Sequence, residues 1–429
     1  EGILQGEIST HGYMEITVRK YSFSKVKETL SRMLSVHSSL RIYIDKQGVQ
    51  HIAETAEPDI YEYVPDSDKN METALSELRT ELNKKSVNIE KAPLFEVHCV
   101  TNGNGTAVVA FLTDNIVFDG ISSMLFINEF INIYSGKEET YQDTEYSFQD
   151  YVHYLSEIKG TPKYQLDKKY WLELSKSFPS VMNPPSISNA NYKAEPMYQY
   201  LDIPENIWNG ICGQSNYGGV SVFSFILTAV IQMLSREMYE NRFLISIPEE
   251  NRPSFDESFR NMLGEFSSFL LFPCSVNKDE SFLESAKRNQ KLLWKFKQHD
   301  SFSAIELMRE LNKSGGSAYS STVPVVFTSL LEQERQETQD IYLSHMRSYT
   351  TQISLEIVML KIRGNVRINF TYLSNILSDK TVSDMVSMLY STLEKAVQNP
   401  EIYVTPDLPS ADFKVIEEVN NTSKDTDFI

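Results

Sequence analysis

The chain has 429 residues, 41% hydrophobic and 23% charged, with 58 Asp and Glu against 40 Lys and Arg for a net charge of −18. That length exceeds one ordinary hydrophobic core and predicts two lobes of roughly 150 to 250 residues. The acidic balance excludes nucleic acid and anionic membrane as expected partners, and no apolar run reaches the roughly 18 residues that span a bilayer. No basic region followed by an apolar core opens the chain, so a cytoplasmic protein is expected. Cys99, Cys212 and Cys274 lie far apart and the seven histidines are scattered, so neither a metal site nor a local Cys/His dyad is expected.

In chain order, residues 25–34 have the apolar spacing of an amphipathic helix, which His37-Ser-Ser-Leu40-Arg41 closes. Strands follow at 42–44 and 49–52 around a turn at Lys46-Gln-Gly48. Arg41 is either the guanidinium partner of a buried carboxylate or a solvated surface charge. Residues 94–101 and 106–113 read as a hairpin through Asn102-Gly-Asn-Gly105. The second strand runs into Asp114-Asn-Ile-Val-Phe-Asp119-Gly120-Ile-Ser122, two carboxylates five residues apart where an apolar strand gives way to an apolar helix. Met124, Ile127, Ile131 and Tyr134 recur at helical spacing while Phe126, Phe130 and Ile133 cover the other side, so this helix is buried. Asp119 at its start is an N-cap, a buried ion pair, or a residue with a direct chemical role. Gly120 allows a tight turn there. Asp114, ending an apolar strand, is expected in a desolvated place that only a partner or a function repays.

From 136 to 196 the sequence turns polar and Pro-rich, with helical patches at 148–158 and around Tyr170-Trp171 and an extended connection at Pro179, Pro184 and Pro185. The lobe boundary is placed here, giving lobes 1–175 and 176–405. The second lobe reads as a strand at 198–203, a long helix at 220–238, strands at 242–247 and 264–272, and a helix at 282–298. A β-branched strand at 323–329 ends in the hydroxyls of Thr328 and Ser329, which face a cleft or cap a turn. A breaker-rich loop, strands at 352–362 and 366–373, and a helix at 381–397 complete the lobe, and the acidic tail 406–429 reads as a linker. The fold class is α/β in layers, with two lobes.

Taken together, these segments resemble the condensation-domain superfamily of nonribosomal peptide synthetases, and within it the heterocyclization (Cy) branch. Where the usual motif has two histidines before Asp-Gly, this chain has Asp114-Asn115; the Cy branch carries two aspartates separated by four residues and then a serine, which Asp114, Asp119 and Ser122 match. His11-Gly-Tyr-Met-Glu15, His37-Ser-Ser-Leu-Arg41, Tyr170-Trp171, Arg252-Pro, Gly264-Glu-Phe-Ser-Ser268 and Pro324-Val-Val-Phe-Thr-Ser329 fall in the family's order. The resemblance implies two chloramphenicol-acetyltransferase-like lobes in a V-shaped pseudodimer with a central tunnel. It implies no cofactor bound by the domain itself: substrates arrive on the phosphopantetheine arms of upstream and downstream peptidyl or aryl carrier proteins, and an adenylation domain follows the tail. The implied reaction joins an acyl or peptidyl thioester to the amine of a Cys, Ser or Thr thioester, with ring closure to a thiazoline or oxazoline, in natural-product or siderophore synthesis. The implied catalytic residues are Asp114, Asp119, Thr328 and Gln352; Arg41, Gly120 and Ser122 support the site, and Ser246, Ser329 and Met359 line the tunnel.

Departures from the branch bear on ring closure. Its Thr and Trp-Leu-Asp after the glutamine are here Ile353 and Ile357-Val358-Met359, Ser246 stands for an Asn, and Asp256 for a His. Met359 neither accepts nor delivers a proton, and Glu356 is the one carboxylate in 352–362. Holding an amine against a thioester is itself worth up to roughly 7 to 11 kcal/mol. Cyclodehydration is different: it needs an acid and a base, because an amide is a poor electrophile and hydroxide a poor leaving group. The alternative function is a catalytically silent domain that docks carrier or partner proteins.

Overall fold

The computed structural model describes residues 10–65, 70–137, 146–179, 181, 195–313, 323–333, 336–350 and 353–402. Gln352, the prolines at 184 and 185, and the tail 406–429 lie outside the described residues.

The first part runs β1 (His11–Arg19), α1 (Phe23–Val36), a 3-10 turn (Ser38–Arg41), β2 (Ile42–Ile44), β3 (Gln50–Ile52), β4 (Asp59–Tyr63), α2 (Met71–Leu82), β5 (Phe95–Thr101), β6 (Thr106–Asp114), α3 (Gly120–Tyr134), α4 (Phe148–Ile158) and α5 (Pro162–Ser175). The expected hairpin is β5–β6: the Asn102 carboxamide oxygen accepts from the backbone of Asn104 at 2.9 Å and Thr106 at 3.2 Å, and Gly103 and Gly105 take φ of 73° and 78°. β6 is buried almost throughout because α3 lies against it, with Phe111 edge-on to Phe126 and Phe130 at ring-centroid distances of 5.2 and 5.3 Å.

The second part runs β7 (Pro196–Asp202), α6 (Glu205–Gly218), α7 (Val222–Glu237), β8 (Arg242–Glu250), α8 (Ser258–Asn261), β9 (Ser267–Ser275), α9 (Phe282–Lys297), α10 (Ala304–Lys313), β10 (Val325–Ser329), β11 (Ile341–Tyr349), β12 (Leu355–Ile362), β13 (Asn365–Leu373) and α11 (Asp379–Gln398). Its six-stranded sheet has the order β7-β13-β12-β10-β8-β9. The apolar α7 lies beneath it, between α9 and α11.

The segment after β10, expected to be loop, contains β11, and β11 does not join the sheet of its neighbours in sequence. It completes the five-stranded sheet β11-β1-β6-β5-β4, running antiparallel to β1 with His11 opposite Tyr349 and Val18 opposite Ile341. Arg347 on β11 donates to the carbonyl of Arg79 at 2.9 Å and lies over the Tyr13 ring, and Asn369 on β13 donates to the carbonyl of Met346 at 2.8 Å. In the other direction, Tyr164 and Trp171 of α5 pack into the core under the six-stranded sheet, although α5 precedes residue 176.

The helix α6 was not expected from its Gly- and Asn-rich sequence, and it exists through packing. Gly210 lets it lie against α11, where an added Cβ would overlap Val397. Gly210→Ala is expected to cost about 1–3 kcal/mol in urea unfolding through overpacking. Val397→Ala in the same chain should recover part of that loss, and no loss in the single variant would show that the two helices move apart freely.

Candidate active site at the lobe junction

Asp114 closes β6 and is 4% exposed. Its backbone N–H donates to the carbonyl of Leu94 at 2.9 Å, and its Oδ1 accepts from the N–H of Ile116 at 2.9 Å. Burial pushes its carboxyl up from the ordinary value, and the Ile116 N–H only partly offsets this. It stands opposite His11 of β1, which in turn stands opposite Tyr349 of β11.

Asp119 shows both structural arrangements that its position suggests. As N-cap of α3 it accepts from the N–H of Ser122 at 2.5 Å, satisfying a donor that the first helical turn leaves without a partner. Its remaining capacity goes to the other lobe: Arg252 donates to Oδ2 at 2.9 Å and Oδ1 at 3.2 Å, and the N–H of Phe266 donates to Oδ2 at 3.1 Å. Ser122 joins the same knot, donating to the carbonyl of Gly264 at 2.7 Å while accepting from the N–H of Gly264 at 3.0 Å and from Arg252 at 2.8 Å. The Arg252 guanidinium also lies 4.3 Å over the Phe266 ring. The side chains of Arg252 and Asp119 are 1% and 3% exposed, so this is a fully desolvated pair pinning α3 to the segment between β8 and β9.

Sequence reasoning looked to Arg41 for a guanidinium partner, and the structure uses Arg252. Arg41 donates instead to the carbonyls of Leu34, Ser35 and Ala53, closing the end of α1, and lines a cleft of about 770 Å³ with His37, Phe148 and Met262. Arg252-Pro was legible only as a landmark; the missing signal was a second lobe that needs a charge to answer Asp119. Gly120 is already helical and has no left-handed φ. An added Cβ there would lie 3.2 Å from Leu330, so the glycine admits the turn that follows β10.

That contact brings β10 to the junction. Val325 and Phe327 pack into the core of the second lobe, so Val326 and Thr328 point the other way along the alternating strand, and the Thr328 hydroxyl is buried with no hydrogen-bond partner among the described residues. Ser329 stands opposite Met359 of β12, and Met359 is fully buried in the second-lobe core. Ser246 on β8 is buried opposite Val326. On β12 the same alternation turns Glu356 and Val358 toward the first lobe, opposite Val326 and Thr328. Glu356 is half-buried and accepts from the Ser348 hydroxyl of β11 at 2.5 Å.

A five-stranded and a six-stranded sheet, each backed by helices, are joined at the start of α3, where Asp119 meets Arg252. The chain belongs to the condensation-domain family of nonribosomal peptide synthetases, whose family model matches residues 10–412. It is 23% identical over 410 residues to bacitracin synthase 1 of Bacillus licheniformis, covering 93% of this chain and 8% of that protein. It is 21% identical over 338 residues to pyochelin synthetase PchF of Pseudomonas aeruginosa, covering 78% of this chain and 19% of that protein. The chain thus spans less than a fifth of the length of either relative. Its fold matches that of the cyclization-docking bidomain of EpoB from Sorangium cellulosum with a TM-score of 0.81 at 20% identity, over 92% of this chain and 81% of that one. The expected pair of acetyltransferase-like lobes is therefore borne out. Among the described residues no single helix is long and apolar enough to cross a membrane.

Proposed function

We propose that this chain is a heterocyclization-type condensation domain. It joins an acyl or peptidyl thioester on an upstream carrier protein to the amine of a Cys, Ser or Thr thioester on a downstream carrier, within a cytoplasmic synthetase that continues into an adenylation domain. The observation that carries this reading is the desolvated Asp114, followed by Asn115, at the strand end where the general family has its histidines. The similarity to a pyochelin synthetase and to a cyclization bidomain supports the same branch. The chemistry asks mainly for positioning: the amine attacks the thioester carbonyl carbon, the C–N bond forms, and the carrier thiol leaves with the proton the amine gives up. Two tethered substrates meeting between the lobes supply most of that rate through proximity, and a carboxyl raised by burial is a better proton acceptor near neutrality than one at about 3.9.

The test uses the full chain with two carrier proteins whose phosphopantetheine arms bear an acetyl group and, in separate reactions, cysteinyl, seryl or threonyl groups. Intact-protein mass spectrometry is expected to show the acetyl group transferred to at least one aminoacyl carrier. Binding of both carriers with no transfer in any of the three would establish the silent docking domain instead.

A further inference from the structure

The six-stranded sheet has a second face, turned away from the junction, and its end carries an acid with no partner among the described residues. Ser246 of β8 stands opposite Val326 on the junction side, so by alternation Ile245, Ile247 and Glu249 lie on the other side. Their neighbours across β9 are Phe272, Leu270 and Ser268, and the Phe272 ring meets Phe296 of α9, which touches Trp171 of α5. Where that helix-covered core ends, a cleft of about 450 Å³ opens between β8, α5 and the start of α10, with Trp171, Phe302 and Leu307 among its apolar walls. Glu249 lines it, and burial pushes its carboxyl up to about 7. The cations that line the cleft are committed elsewhere. Lys163 donates to Asp167 at 2.6 Å, Asp300 at 2.7 Å and the carbonyl of Gln298 at 3.1 Å, which uses all three of its ammonium hydrogens. Arg252 is held by Asp119 and Ser122, and His299 has its Nδ1 at 2.8 Å from Asp167. Lys297 of α9 lowers the Glu249 carboxyl and Asp300 raises it, both through space and both less than burial does.

We propose that this cleft is a binding site for an organic ammonium ion, its positive group on the Glu249 carboxylate and its apolar body against Trp171, Phe302 and Leu307. The charges decide the class. A carboxylate or phosphate ligand would meet Glu249, Glu250 and Asp300 with Lys163 and Arg252 already engaged. A neutral apolar ligand would leave the half-buried acid unanswered, whereas an ammonium group gives it a charge-assisted hydrogen bond in a partly desolvated place. Aromatic walls favour a cation further. The volume lies within the roughly 300 to 1,000 Å³ usual for small-molecule pockets. Because the cleft is on the opposite face of the sheet from the junction, the inference stands independently of the amide-forming reading. Asn251, Arg252 and Pro253 belong to the same wall, so an occupant also rests against the segment that pins α3.

Isothermal titration calorimetry of the full chain with 2-phenylethylamine and with n-hexylamine tests this. At least one of the two is expected to bind saturably with a Kd below about 1 mM, and its neutral counterpart, 2-phenylethanol or 1-hexanol, at least about tenfold more weakly. Both amines stay protonated from pH 6 to pH 8, so their affinity follows the ionisation of Glu249. With that carboxyl at about 7, the affinity should rise about tenfold between pH 6 and pH 8. At pH 7 binding should release up to about half a proton, read as a dependence of the measured heat on the ionisation enthalpy of the buffer. Glu249→Gln removes no hydrogen bond or ion pair among the described residues, so the fold should persist by circular dichroism. The same variant should weaken amine binding at least about tenfold and abolish both the pH slope and the proton release. Asp114→Asn, at the junction, should bind the amines as wild type does. No saturable binding by either amine, equal affinity in Glu249→Gln, or loss of binding in Asp114→Asn instead overturns the inference. A wild-type affinity that is flat from pH 6 to pH 8 overturns it without any variant.

Discussion

Arg252→Ala is expected to destabilise the chain by about 3–5 kcal/mol, the largest loss of any single side-chain truncation proposed for this fold. The reason lies less in the pair's own attraction than in what is left behind. Asp119 would remain buried at the start of α3 with its ion partner gone and only the N–H groups of Ser122 and Phe266 to answer its charge. Ser122 and the carbonyl of Met262 would each lose a donor as well. Because the pair joins α3 to the segment between β8 and β9, its loss acts on the seam between the lobes. Urea unfolding followed by far-UV circular dichroism should show the shift. Asp119→Asn in the Arg252→Ala background removes the stranded charge and should recover part of the loss. Two independent, additive losses would mean that the pair is not coupled and that this account of the seam is wrong.

Asp114→Asn is expected to lower acyl transfer at least about 100-fold while leaving the fold no less stable. Asparagine keeps the shape and the oxygen that accepts from Ile116 at 2.9 Å, but it takes up no proton. The sign for stability follows from the raised carboxyl. In the folded chain the charged form is disfavoured, so wild type loses stability as pH rises from the unfolded value of about 3.9 through the higher folded one. The asparagine variant carries no such penalty. Its advantage over wild type should be absent in acid and grow toward neutrality in a series of unfolding curves. Activity and stability falling together at every pH would make Asp114 part of the scaffold alone.

The elements that sequence made legible are those whose determinants are local. The β5–β6 hairpin follows from Asn102 to Gly105, and α3 from apolar residues on every face with an aspartate at its start. Elements that depend on distant partners were not legible. β11 reads Ile-Tyr-Leu-Ser-His-Met-Arg-Ser-Tyr, polar and apolar without a turn to pair it locally, and its partner β1 is more than 300 residues away. α6 has glycine at 210, 213 and 218, which local propensity counts against a helix, yet two of them are where α11 and Leu283 come closest. At the site, the capping geometry of Asp119 was visible while its guanidinium was not, because Arg252 lies 133 residues downstream and only the fold brings the two together. Likewise Met359 and Glu356, three residues apart, part company through strand alternation: one faces the second-lobe core and the other the junction.

The crossing of β11 also bears on how the chain is made. During synthesis β1 emerges well before β11, and its outer edge has no partner until residues 341–349 leave the ribosome. Until then the first lobe exposes a row of unsatisfied backbone groups, the kind of edge on which nascent chains aggregate. Completing the five-stranded sheet waits on β11, so the two halves mature together and synthesis halted between β1 and β11 leaves the first lobe with an open edge.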